Sequence, residues 1–186
     1  MSPRPPRTWP DGPNQVRHAA GLLLLFPRAD RAHIVLTVRA ETLGRHSGQV
    51  SLPGGVIEPG EAFEQAALRE AHEEISLTSA GVRVVGALTP IDIPVSGFRL
   101  HPVVGAINGP PSLVPADGEV ARILEVPVDD LMAPGAVVST EREREGRRIV
   151  VPAFRVGSEE IWGATAMVLA EFLVLLGWTG PDGVIT

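Results

Sequence analysis

The sequence predicts an α/β sandwich built around a mixed β-sheet, on three observations. Strand-like runs of β-branched and aliphatic residues recur along the chain, separated by Gly/Pro-rich turns. Helical segments are interleaved with these runs, which is the pattern of layered α/β architecture. The 186 residues are enough for one hydrophobic core, with neither an internal repeat nor a linker between two cores.

Residues 1–15 carry five prolines and no periodic pattern, so they read as an extended Pro-rich arm before a single domain over 16–180. The run Ala19–Phe26 is apolar on both faces and about as long as a buried strand. As a secretory segment it is short, and Phe26-Pro27-Arg28 offers no small-residue cleavage site, so the expected location is cytoplasmic. Further strands are expected at His33–Arg39, Val82–Leu88, Leu100–Ile107 and Ile149–Phe154. Helices are expected at Ala62–Ile75 and at Ala164–Leu176, the second stopping before Gly177. A third, short helix is expected over Val126–Leu131, with Pro127 early and acids in its first turn. The segment from Ala164 is apolar on nearly every side except at Glu171, yet a membrane span needs about 20 residues, so it reads as a core helix. No membrane partner is expected.

All 16 basic residues are arginine, and there is no cysteine, which makes disulfides impossible. A net charge of −6 with 44% hydrophobic residues excludes a disordered tail and a general duplex-binding protein, so no nucleic-acid partner is expected. Arg142, Arg144, Arg147 and Arg148 lie in an acid-mixed stretch that reads as a solvated hairpin, so arginine usage by itself marks no phosphate site. The acids are concentrated instead. Six glutamates and a single arginine lie between Glu58 and Glu74, a density that repels itself unless a cation or solvent screens it.

On a helical wheel with Phe63 at zero, Ala67, Ala71, Ile75 and Leu68 form the packing stripe, while Glu70 and Glu74 fall within about 20° of Phe63. Two carboxylates therefore border the core, and Glu73 stands further round. His72 falls on the opposite, solvent side. Carboxylates at i, i+3 and i+4 converge within one turn, where repulsion and partial desolvation are relieved by a shared hard cation. Mg²⁺ or Mn²⁺ is the economical choice, and it favours phosphate chemistry. Gly54-Gly55 just before the helix lets a backbone carbonyl or amide approach a ligand closely.

Gly55, Glu61, Arg69-Glu70, Ala71 and Glu73-Glu74, at these spacings, resemble the Nudix box of the Nudix hydrolases. The one departure is Ser76, where that family has glycine in a left-handed conformation; a serine there costs roughly 1 kcal/mol. The resemblance implies a Nudix-type α/β/α sandwich that hydrolyses a nucleoside diphosphate linked to another group. It implies metal ligation by Glu70, Glu73 and Glu74, with Gly55 adding a backbone contact, and a Glu61–Arg69 pair that orients the helix. The general base is Glu73 or Glu119, the latter in the loop Pro115–Val120.

Upstream, residues 36–55 (LTVRAETLGRHSGQVSLPGG) resemble the extra signature of the coenzyme A diphosphatase subfamily, through Arg39, His46, Gly48, Gln49 and Pro53-Gly54-Gly55. Gly44 stands where that pattern has arginine, and the neighbouring Arg45 carries the charge. Ser96-Gly97-Phe98, His101–Gly105 and Ile161–Ala166 extend the resemblance downstream. It implies hydrolysis of coenzyme A or acyl-CoA to 3′,5′-ADP and 4′-phosphopantetheine, with Arg39, Arg45 and His46 binding substrate. A rival keeps the same site for ADP-ribose or another nucleotide sugar. A non-catalytic nucleotide-sensing module is disfavoured because no box carboxylate is missing. The expected partner is a small-molecule nucleotide, and a homodimer is left open.

Overall fold

The computed structural model describes residues 16–40, 48–144 and 146–181. Its chain order is β1 (Arg17–Arg28), β2 (Arg31–Arg39), β3 (Val50–Ser51), β4 (Gly54–Val56), α1 (Phe63–Ile75), β5 (Arg83–Ala87), β6 (Ile91–Ile93), β7 (Phe98–Ala106), β8 (Val120–Pro127), α2 (Val128–Met132), β9 (Val137–Arg144), β10 (Arg147–Val156), β11 (Glu159–Trp162) and α3 (Gly163–Leu175).

The apolar run of β1 is apolar on both faces because the sheet is covered on both faces. Leu22, Leu24 and Phe26 pack with Ala66, Ala67, Ala71 and Ile75 of α1. Leu23 points the other way, into a second cluster with Ile34, Leu36, Leu131 and the α3 residues Val168, Leu169 and Phe172. This is the α/β sandwich read from the sequence: α1, a mixed sheet, and α3 with its accompanying strands. β1 runs parallel to β7, whereas β2, β4, β5, β6 and β8 join antiparallel. β9, β10 and β11 form a separate three-stranded antiparallel sheet that leads straight into α3. No helix among the described residues is long and apolar enough to cross a membrane.

Three expectations change. Val126–Pro127 closes a strand, β8, and the helix begins only at Val128; pairing of β8 with β2 along its length outweighs the proline signal, and Pro127 sits at the end of the ladder where no donor is needed. Phe63 is no part of the buried stripe: it is 42% exposed, with its ring stacked on His101 of β7 at 3.9 Å. Leu68 is only half-buried, and the stripe runs through Ala66, Ala67, Ala71 and Ile75. The pro-rich arm over 1–15 lies outside the described residues, as do Gly44, Arg45 and His46.

Candidate active site

The site is assembled where α1 crosses the start of the sheet, and glycine permits the approach. A Cβ on Gly54 would lie 2.3 Å from the Ala20 carbonyl oxygen, so only glycine lets β4 lie against β1 at that point. A Cβ on Gly55 would lie 2.4 Å from Oε2 of Glu70, so the backbone here comes into direct contact with a helix carboxylate. Just beside it, the Gly54 N–H donates to Oε2 of Glu74 at 3.1 Å. Two helix glutamates, one turn apart, are thus packed against one two-glycine strand.

Arg69 organises the side of this cluster. Its guanidinium donates from Nε and Nη2 to the two oxygens of Glu61 at 2.9 and 3.1 Å, from Nη1 to Glu70 at 2.9 Å and Glu73 at 3.1 Å, and from Nη2 to the Val56 carbonyl at 2.9 Å. All five of its N–H donors are used, in a planar fork that lysine cannot reproduce. Glu61 is held in turn by the Glu58 N–H at 3.0 Å. The Arg69 contacts, and next the Glu58 bond, hold the Glu61 carboxyl below its ordinary value. Arg69 itself is raised, first by Glu61.

Burial has the opposite effect further along the helix. Desolvation raises the Glu70 carboxyl although Arg69 opposes it. Glu74 is pushed up to about 7, first by burial, then by the like charges of Glu70 and Glu119, against the Gly54 hydrogen bond and the charge of Arg39. A buried carboxylate among like charges, packed on glycine backbone, is the donor chemistry that suits a hard divalent cation. Glu73 is 54% exposed and turned to Arg69, so among the described residues no three acidic or histidine side chains meet at one point as the chain stands.

Arg39 and Glu119 reach the same place from the far edge. β2 and β8 pair in register up to Val38, then slip at a bulge that sets Arg39 opposite Val120. The Glu119 carbonyl accepts the Ala40 N–H at 2.9 Å, and the charges of Arg39 and Glu119 both act on Glu74. Bulges recur beside functional sites because they re-aim side chains, and this one brings a cation and an acid that are 80 residues apart to the rim of the carboxylate cluster.

Ser76 ends α1 in the left-handed conformation, φ 55° and ψ 28°. Its N–H donates to the His72 carbonyl at 2.9 Å, the bond that a left-handed glycine usually makes at a helix end, and the Leu77 N–H donates to the Ala71 carbonyl at 3.3 Å. His72 is exposed, with Nδ1 3.1 Å from the Leu77 carbonyl. One support escaped the sequence reading. His18 Nδ1 and His101 Nε2 share a hydrogen bond at 2.8 Å, and His101 carries Phe63, so the first turn of α1 rests on β1 and β7. Burial, then the charges of His18 and Arg99, hold the His101 imidazole below its ordinary value. No helical or strand period relates residues 18, 63 and 101, so no sequence signal marks this trio.

Fold and site together define a hydrolase of phosphorus anhydrides. Comparison with known proteins gives the family: the NUDIX domain matches residues 16–151, and the chain belongs to the Nudix hydrolases. The uncharacterised Nudix hydrolase NudL of Citrobacter koseri is 35% identical over 164 residues, covering 87% of this chain and 84% of its own. The NudL of Photorhabdus laumondii is 34% identical over 170 residues, covering 91% and 88%. Among solved structures, the M. smegmatis Nudix hydrolase RenU aligns with a TM-score of 0.56 at 29% identity, over 67% of this chain and 80% of its own. A C. elegans Ap4A hydrolase aligns at 0.52 with 22% identity, over 63% and 84%, a likeness of fold. The protein is accordingly a Nudix hydrolase of nucleoside diphosphate-linked substrates, a family that works with divalent cations such as Mg²⁺ or Mn²⁺.

Proposed function

We propose that the enzyme hydrolyses coenzyme A or acyl-CoA to 3′,5′-ADP and (acyl-)4′-phosphopantetheine. The observation that carries the reading is the placement of Arg39: the stretch 36–55 that resembles the coenzyme A diphosphatase signature contributes Arg39 at the end of β2 and Gly54 and Gly55 in β4, beside the α1 carboxylates.

Glu70, Glu73 and Glu74, with the Gly55 backbone, would hold Mg²⁺ or Mn²⁺. When bound, the ion neutralises diphosphate charge and activates water. The protein does the rest. The Gly54 N–H fixes Glu74, and the missing Cβ at Gly55 leaves the space that the Glu70 carboxylate occupies. Glu61 and Arg69 position the helix against β4. Arg39 binds the diphosphate with a planar fork, and Arg45 and His46 join it in binding substrate. Glu119 or Glu73 takes the proton of the attacking water. No covalent intermediate is required: water attacks one phosphorus of the diphosphate, the bridging P–O bond breaks, and the other phosphate departs with the bridging oxygen.

The test is a substrate panel with Mg²⁺ or Mn²⁺ and mass analysis of products. Release of 3′,5′-ADP with 4′-phosphopantetheine from coenzyme A is expected; activity confined to ADP-ribose or other nucleotide sugars would overturn the substrate assignment and leave the family assignment intact.

A further inference from the structure

A second cavity, of about 390 Å³, lies between the turn before β3 and the β10–β11 hairpin, bounded by Gly48, Gln49, Arg142, Glu159, Glu160 and Trp162. We propose that it is the subsite for the substrate's nucleobase and that it selects adenine, with Trp162 as the stacking platform and Gln49 reading the base edge.

The chemistry of the walls points there. Trp162 is half-buried, with the Arg142 guanidinium 5.3 Å from its ring centroid, so the cavity offers an aromatic plane and a planar cation, the two surfaces on which bases stack. Arg142 is held flat by Glu160 at 2.9 Å, and Glu160 is fixed again by Thr140 at 2.7 Å and Arg155 at 3.2 Å. Thr140 and then Arg155 keep the Glu160 carboxyl below its ordinary value, and Glu159 is paired with Arg122. Gln49 lines the same cavity, and its amide carries a donor and an acceptor side by side, the pair that matches the amine and adjacent ring nitrogen of adenine.

The position is right as well. Gln49 accepts the Arg39 N–H and Gly48 donates to the Arg39 carbonyl, both at 3.0 Å, so the cavity begins one paired residue from the arginine at the carboxylate rim. A nucleotide whose diphosphate lies at Arg39 would run along this paired backbone toward the cavity that Trp162 lines. The inference rests on the reading of the substrate as an adenine nucleotide.

The test is titration of the full-length protein with AMP and with IMP, which replaces the amine by a carbonyl, followed by calorimetry and tryptophan fluorescence. The expected result is AMP binding about tenfold tighter than IMP, weakened about fivefold or more by Trp162→Leu, with the AMP preference erased by Gln49→Leu. Trp162→Phe keeps a stacking ring and is expected to retain AMP affinity, which guards against misreading a folding defect. Equal binding of AMP and IMP, or unchanged AMP affinity in Trp162→Leu, would overturn the subsite. Coenzyme A turnover is measured in parallel. Its absence with the AMP preference intact removes the coenzyme A reading alone, and turnover with KM unchanged in Trp162→Leu removes the subsite alone.

Discussion

α1 and α3 are both 13 residues long and cover opposite faces of one sheet, yet they bury opposite things. α3 buries Val168, Leu169, Phe172 and Leu173, and its one acid, Glu171, reaches out to accept the Thr89 N–H and hydroxyl at 3.0 and 2.8 Å. α1 buries only small residues and Ile75 as its apolar stripe, and packs two glutamates at the stripe's edge against glycine backbone. One helix spends its sequence on cohesion; the other accepts electrostatic cost at positions where alanine or leucine would be more stable. That cost is the mark of the site.

The contrast breaks most visibly in α3. Phe172→Ala removes a ring that is 5% exposed in the larger core cluster and should lower unfolding free energy by about 3–5 kcal/mol, read by denaturant melts, while the surviving folded fraction keeps its turnover number. In α1 the order reverses. Gly55→Ala drives a methyl into the Glu70 carboxylate and should lower turnover by about 100-fold, with a smaller change in melting temperature than Phe172→Ala.

Proton linkage sharpens the same contrast. The folded-state value of Glu74, about 7, lies above its ordinary 4.5, so between these pH values the metal-free folded chain holds a proton that the unfolded chain has lost. Its contribution to stability therefore falls as pH rises from 4.5 to 7, and a cation that takes the proton's place restores it. Added Mg²⁺ should raise the melting temperature more at pH 8 than at pH 5.5, by differential scanning calorimetry, and release protons on binding near pH 6; equal stabilisation at both pH values would contradict the linkage. The smallest effect is expected at the helix end. Ser76→Gly relieves a left-handed serine and should stabilise the protein by up to about 1 kcal/mol without changing turnover.

How much of this the sequence made legible follows from the range of the interactions. The two-sided apolar run in β1 and the helical spacing of Ala67, Ala71 and Ile75 are local patterns, and both are readable because burial imposes them directly. The carboxylates at 70, 73 and 74 and the glycines at 54 and 55 are likewise close in sequence. β3 and β4, with two and three residues, carry too little pattern to register as strands, and β8 was obscured by the proline that ends it. Phe63 matched the wheel but not the structure, because a first-turn residue overhangs the sheet and finds His101 instead. The meeting of Arg39 with Glu119 depends on the β2–β8 pairing and its bulge, and Trp162 meets Arg142 through the separate small sheet; neither is encoded within any local window.

The central claim is that the half-buried α1 carboxylates, Glu74 above all, hold the cation that the hydrolysis requires. The most direct measurement is the initial rate of coenzyme A hydrolysis with saturating Mg²⁺ for the wild-type protein and Glu74→Gln, alongside calorimetric Mg²⁺ binding and a thermal melt. A loss of rate of about 100-fold or more, with weakened Mg²⁺ binding and a melting temperature at least as high as wild type without metal, is the predicted result. Full hydrolytic rate in Glu74→Gln would contradict it.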